Sequence, residues 1–199
     1  MKRIIAATQN KHKIMEIDEI TKDFGFEIVS RDEAGVDDFE ILEDGKTFED
    51  NSYKKANEIM KVTGEITIAD DSGLEVDYLD GAPGVYSARF AGENATDDDN
   101  NEKLVTLLKG VPYEKRTARY VSVITLVYPD GKKLVARGEV EGHIVLEPSG
   151  NNGFGYDPYF VPVGYDKTFG NFTMEEKNKI SHRGNALKIL RELLSKEDV

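Results

Sequence analysis

The hydrophobic positions of this chain change period several times along its first third. Ile4-Ile5-Ala6-Ala7 is an apolar run that reads as a buried first strand over residues 2–8. Ile14, Ile17, Ile20 and Phe24 then recur at helical spacing, with Gly25 as a stop, and predict a helix near 11–23. A strand near 26–30 follows. The helix expected near 48–62 opens at Thr47 with Asp50, carries the apolar stripe Phe48, Ala56, Ile59 and Met60, and ends at Gly64. Ile66-Thr67-Ile68-Ala69 makes the next strand, and Asp70-Asp71-Ser72-Gly73 reads as a glycine turn at its end. This alternation predicts an α/β fold in which helices cover a sheet.

From Leu74 the pattern alternates through Val76 and Tyr78 and reads as a further strand, which Gly81-Ala82-Pro83-Gly84 breaks as a turn before a short irregular segment at residues 85–90. Thr96 caps a helix expected from about 97 to 108, with Asp97, Asp98 and Asp99 at its positive end and Gly110 closing it. Residues 116–128 and 133–146 are β-rich runs joined by Pro129-Asp130-Gly131, which predicts a long antiparallel hairpin and therefore a mixed sheet. A glycine-rich loop at 148–158, a short strand near 159–162 and helices near 174–179 and 184–195 complete the chain. No internal repeat or low-complexity linker divides it. One domain over residues 1–199 is expected, as a single core or as a core split into two lobes by a cleft.

Composition narrows the function classes. The net charge of −12, from 38 acidic against 26 basic residues, disfavours a sequence-independent grip on a nucleic-acid backbone, although a local basic pocket for a free anion stays open. Without cysteine there is no disulfide framework, thiolate metal site or cysteine nucleophile, and a reducing cytoplasm fits. The amino-terminal apolar run is too short for a signal peptide or a membrane span. Charged residues at 32% beside the missing cysteine suit a heat-adapted source.

The candidate chemistry begins with Asp70 and Asp71. Strand residues alternate faces, so the two carboxylates should point oppositely, one toward a cleft and one toward local backbone donors. The plainer alternative is a simple turn. Thr8-Gln9-Asn10-Lys11-His12-Lys13 lies where the first strand meets the first helix, a place where unpaired N–H groups converge on an anion. Asn10 would cap that helix, yet Lys11 and Lys13 occupy a first turn where the dipole favours Asp or Glu, at a cost of about 0.3–1 kcal/mol. A bound phosphate would remove the conflict; tolerated surface lysines are the alternative. The pattern recurs at Ser181-His182-Arg183-Gly184, which together with Lys177 look like donors for an oxygen-rich ligand. Lys55, one turn beyond Asn51, either snorkels to solvent or meets an anion, and Glu43 is close enough in sequence to converge with Asp71 on one Mg²⁺. In Gly153-Phe154-Gly155-Tyr156-Asp157-Pro158 an aromatic ring can stack on a purine while Asp157 accepts from a ring N–H; a turn with a buried aromatic plug is the alternative.

Taken together, Thr8-x-Asn10-x-x-Lys13, Ala69-Asp70-Asp71-Ser72-Gly73-Leu74, Gly81-Ala82-Pro83-Gly84-Val85-Tyr86-Ser87-Ala88-Arg89, Gly153 to Pro158 and Ser181 to Gly184 resemble the inosine/xanthosine triphosphate pyrophosphatase family over essentially the whole chain. The resemblance implies an elongated mixed sheet flanked by helices, with the active site in a cleft between two lobes. It also implies a cytosolic, Mg²⁺-dependent homodimer that hydrolyses ITP, dITP and XTP to the monophosphate and pyrophosphate, clearing them from the nucleotide pool. By matching position, Thr8, Gln9, Asn10, Lys11, His12 and Lys13 form a phosphate loop, and Lys55 contacts phosphate. Glu43 and Asp71 hold Mg²⁺, and Asp71 takes the proton of the attacking water with Ser72 alongside. Phe154 stacks on the base within Gly155-Tyr156, while Asp157, Lys177, His182 and Arg183 read its edge or fix the nucleotide. Gln9 replaces a small residue frequent in this loop, and Phe90 stands where tyrosine is common. The competing readings are a related pyrophosphatase acting on pyrimidine triphosphates and a nucleotide sensor that binds without hydrolysis. No nucleic-acid or membrane partner is expected.

Overall fold

A computed structural model describes residues 2–22 and 25–196 of the chain. Its strands are β1 (Lys2–Ala6), β2 (Phe26–Val29), β3 (Thr67–Val76), β4 (Thr117–Val127), β5 (Lys133–Ile144) and β6 (Phe160–Pro162). Its helices are α1 (Lys11–Thr21), α2 (Phe48–Thr63), α3 (Asp97–Leu108), α4 (Met174–Ile180) and α5 (His182–Ser195). The strands form one sheet in the order β2-β1-β3-β4-β5-β6. β1 runs parallel to β2, with Ile4 opposite Ile28, and parallel to β3, with Ala6 opposite Ile68. β5 and β6 are antiparallel, and the short 128–132 turn returns β4 into its neighbour β5, so the sheet is mixed as expected.

The helix boundaries follow from local chemistry. Thr47 accepts the Asp50 N–H at the start of α2, and Gly64 closes it by donating to the Met60 carbonyl. Thr96 and Asp99 form a reciprocal capping box on α3, and Thr173 with Glu176 form another on α4. α5 starts at His182, two residues before the expected boundary. In the predicted first-helix stripe, Ile17 is fully buried and Ile14 packs beside it, while the Ile20 side chain and Phe24 lie outside the described residues.

One expectation is corrected. The predicted turn at Asp70-Asp71-Ser72-Gly73 does not occur, because β3 continues through these residues to Val76. Gly73 is a strand residue and is buried. Membership of a ten-residue strand hydrogen-bonded to β4 outweighs the local turn preference of Asp, Ser and Gly.

The chain forms two compact units. The first comprises Met1–Asp71, Ser122–Gly138 and Arg183–Val199, and the second Ser72–Val121 and Glu139–His182. In the first unit the sheet is covered on both faces. Ile4, Ala6, Ile68, Ile124 and Leu126 pack with Ile17 of α1 and with Ala186, Leu187 and Leu190 of α5, whereas Ile5, Ala7, Ala69 and Val127 pack with Ala56 and Ile59 of α2. The second unit packs Leu74, Val76, Tyr120, Ile144 and Phe160 against Leu104 and Leu108 of α3 and against Phe169 and Phe172. Each fully buried Ile, Leu or Phe contributes about 1.5–3 kcal/mol of transfer free energy. Among the described residues no helix is long and apolar enough to cross a membrane.

Candidate active site

The alternation of β3 decides where the paired aspartates go. Asp70 shares the face of Ile68 and therefore looks toward α1 and α5, while Asp71 shares the face of Ala69 and looks toward α2. The carboxylates do point oppositely. Asp70 does not meet local backbone donors, however; its partners are side chains. Its Oδ2 accepts from Lys13 Nζ at 2.8 Å and from Arg183 Nη2 at 3.1 Å, and its Oδ1 accepts the Ser122 hydroxyl. The other arm of Arg183 pairs with Glu16. Two carboxylates thus balance two cations inside the first unit. Burial alone would raise the Asp70 carboxyl, yet Arg183 and Lys13 hold it well below the usual carboxylate range.

Asp71 meets a different cation. Lys55 Nζ donates to Asp71 Oδ1 at 3.0 Å and to Glu43 Oε2 at 3.1 Å, so one ammonium ties the two predicted metal carboxylates together. Lys55 is buried and does not snorkel to solvent. The second oxygen of Asp71, Oδ2, is buried and has no hydrogen-bond partner. Burial raises the Asp71 carboxyl, Lys55 and Lys13 oppose that, and the net direction is upward. Ser72 follows on β3, half-buried.

At the predicted phosphate loop the expected Asn10 cap of α1 is present. Asn10 caps α1 by accepting from the N–H groups of His12 at 3.0 Å and Lys13 at 3.3 Å, and its own N–H donates to Thr8 Oγ1 at 3.2 Å. The first turn of α1 carries no acidic residue. Lys11 and His12 are exposed, Lys13 turns inward to Asp70, and Gln9 donates to the Asp37 carbonyl at 2.8 Å.

The predicted base-reading residues of the second unit form a second cluster. Asp157 and Lys177 make a buried ion pair at 2.8 Å, and Asp157 Oδ2 also accepts the Phe154 N–H at 2.9 Å. The Tyr120 hydroxyl hydrogen-bonds Asp157 as well, and burial followed by that carboxylate pushes the phenol well up. The loop curls so tightly around Asp157 that a Cβ on Gly153 would stand 2.0 Å from Oδ2, and Gly153 sits at φ +75°, so only glycine serves there. Lys177 Nζ lies 4.9 Å from the centre of the half-buried Phe154 ring. His182 stacks on Tyr120 with ring centres 4.7 Å apart. Gly155 is held by Asp97 and Asn101 of α3, and Tyr156 is a buried anchor whose hydroxyl donates to the Ser87 carbonyl at 2.7 Å.

Sequence reasoning missed Glu16, Ser122 and Tyr120. Glu16 had a visible signal: it is a carboxylate beside Ile17, on the buried side of an amphipathic helix. Ser122 and Tyr120 lie in an apolar strand, where a hydroxyl gives no indication of its partner until the neighbouring strands are paired.

The Ham1 family model matches residues 4–193. The chain is 54% identical to a dITP/XTP pyrophosphatase of Clostridium perfringens over 98% of each chain, and 47% identical to one of Bacillus subtilis over 98% of each. Among solved structures it resembles a HAM1 protein from Coxiella burnetii with a TM-score of 0.88 and 39% identity, covering 98% of this chain and 100% of that one. The Staphylococcus aureus Ham1 protein gives a TM-score of 0.87 at 41% identity, with the same coverage.

Proposed function

Because this chain belongs to the Ham1 family, we propose that it hydrolyses the non-standard purine nucleotides dITP, XTP and ITP to the nucleoside monophosphate and pyrophosphate, as the names of its relatives indicate for the first two. The observation that carries this reading is the Glu43–Lys55–Asp71 group, with one buried Asp71 oxygen left unpartnered.

Hard oxygen donors of this kind suit Mg²⁺, and Glu43 with Asp71 would hold it. Among the described residues no group of three or more His, Cys, Asp or Glu could hold a metal ion, so phosphate oxygens and water would complete the shell. When bound, Mg²⁺ supplies neutralisation of the phosphate charge. The protein groups do the rest. Asp71, made more basic by burial, accepts the proton of the water whose oxygen bonds to the α-phosphorus, while the bond from that phosphorus to the bridging oxygen breaks and pyrophosphate departs. Lys55 keeps Asp71 and Glu43 oriented, and the α1 N-terminus with Lys11 receives phosphate oxygens.

For the base, Phe154 offers a stacking face, and Lys177 and His182 offer donors toward a 6-oxo oxygen. Adenine would set an amino donor against those donors, and unpaired polar groups of this kind discriminate by roughly 10⁴–10⁵. Arg183, buried between Glu16 and Asp70, fixes the start of α5 from which His182 projects. The active form is a cytosolic homodimer in this reading. Asp71→Asn tests it: turnover of dITP should be abolished while the circular dichroism spectrum stays native, and near-normal turnover would remove Asp71 as the base.

A further inference from the structure

Asn51 lies in the first turn of α2, one helical turn before Lys55, and is 1% exposed. Residues four apart share a helix face, so the Asn51 amide and the Lys55 stem lie one above the other on the buried side. The amide oxygen accepts the Gly45 N–H at 2.8 Å. Gly45 lies two residues beyond Glu43, whose carboxylate meets Lys55. An N–H can only donate, so this bond fixes the amide orientation: oxygen toward Gly45, nitrogen away from it. That nitrogen, Nδ2, is buried and has no hydrogen-bond partner. A stranded buried donor is costly, and the fold retains it on an amide that is bonded two residues beyond one predicted metal carboxylate and lies one turn from the lysine that bridges both. Gly45 is shaped around the same amide, since a Cβ there would stand 2.5 Å from Asn51 Oδ1.

We propose that Asn51 is a further substrate-contacting residue: its Nδ2 donates to an anionic oxygen of the bound phosphate chain, while its Oδ1 holds the loop that carries Glu43. This inference rests on the pyrophosphatase reading above and adds a neutral donor to its cationic phosphate contacts. A neutral amide suits the place. A third cation beside Lys55 would compete for Asp71 and Glu43, whereas an amide supplies a directed hydrogen bond without altering the charge balance.

The test is calorimetric titration with inorganic pyrophosphate, with and without Mg²⁺, on the unaltered protein, Asn51→Asp and Gly45→Ala, alongside dITP turnover. Asn51→Asp keeps the acceptor for Gly45 and the side-chain shape, but replaces the donor by a carboxylate. Gly45→Ala leaves every charge in place and displaces the amide. Both variants should bind pyrophosphate at least about tenfold more weakly whether or not Mg²⁺ is present, the fold-change expected for one hydrogen bond to a charged group. Gly45→Ala also covers the case in which Asn51→Asp fails to fold. Unchanged pyrophosphate affinity in either folded variant overturns the inference while leaving the pyrophosphatase reading intact. A loss seen only with Mg²⁺ also overturns it, because the residue would then act solely through the Glu43 loop. An unaltered protein that neither binds pyrophosphate nor turns over dITP would sink both.

Discussion

At the scale of single residues, the adjacent aspartates are separated by strand alternation into two tasks. Asp70 neutralises Lys13 and Arg183, whereas Asp71 keeps one oxygen uncommitted. Removing one partner of a buried ion pair leaves the others uncompensated, so Asp70→Asn should destabilise the fold by about 3–5 kcal/mol in denaturant unfolding. The pH dependence has a fixed sign. The folded Asp70 carboxyl is depressed, so its stabilising contribution is complete above the unfolded carboxylate range and is lost as pH falls through the folded value. Unfolding free energy measured from neutral pH into acid should therefore fall less steeply in Asp70→Asn than in the unaltered protein; parallel curves would contradict the network. That the two carboxylates face apart was legible from strand period alone. Their partners were not, because Asp70 meets Arg183 across 113 residues and Arg183 meets Glu16 across 167. Arg183 looked like a ligand donor because its burial follows only from the docking of α5 against β3 and α1.

At the scale of elements, punctuation was the most readable signal. Thr96, the acidic triplet and Gly110 bounded α3 at residues 97–108 as observed, since caps act within one turn and need no tertiary context. Asp99 is held below the usual carboxylate range by hydrogen bonds from Thr96, so the reciprocal cap is complete above the unfolded range and is lost as pH falls through the folded value. Asp99→Ala should remove the reciprocal half of the cap and lower the denaturation midpoint. β3 was the instructive failure: Asp-Asp-Ser-Gly has turn chemistry, but pairing within the sheet holds it extended, and a pairing partner is absent from a local pattern. The second-unit core predicts a larger effect. Phe160 is fully buried and touches Tyr120 and Phe169, with ring centres 4.8 and 5.2 Å away, so Phe160→Ala should cost about 3–5 kcal/mol.

At the scale of the whole molecule, the mixed sheet and the family membership were both legible, the first from element order and the second from motifs spread along the chain, although the strands read at 66–69 and from Leu74 are one. The division into two compact units left no mark in composition, because β3, β4 and β5 each contribute residues to both and no linker separates them. The net charge of −12 confines anion binding to local cations, so added duplex DNA should neither bind nor inhibit at physiological salt in a gel-shift or competition assay. The pyrophosphatase reading is tested by pyrophosphate release from dITP, ITP, XTP, GTP, ATP and UTP in parallel, with Mg²⁺ and with chelator. Release should be fast from dITP, ITP and XTP only, and abolished by chelator. Release from none of them, or equal release from ATP and UTP, would contradict it.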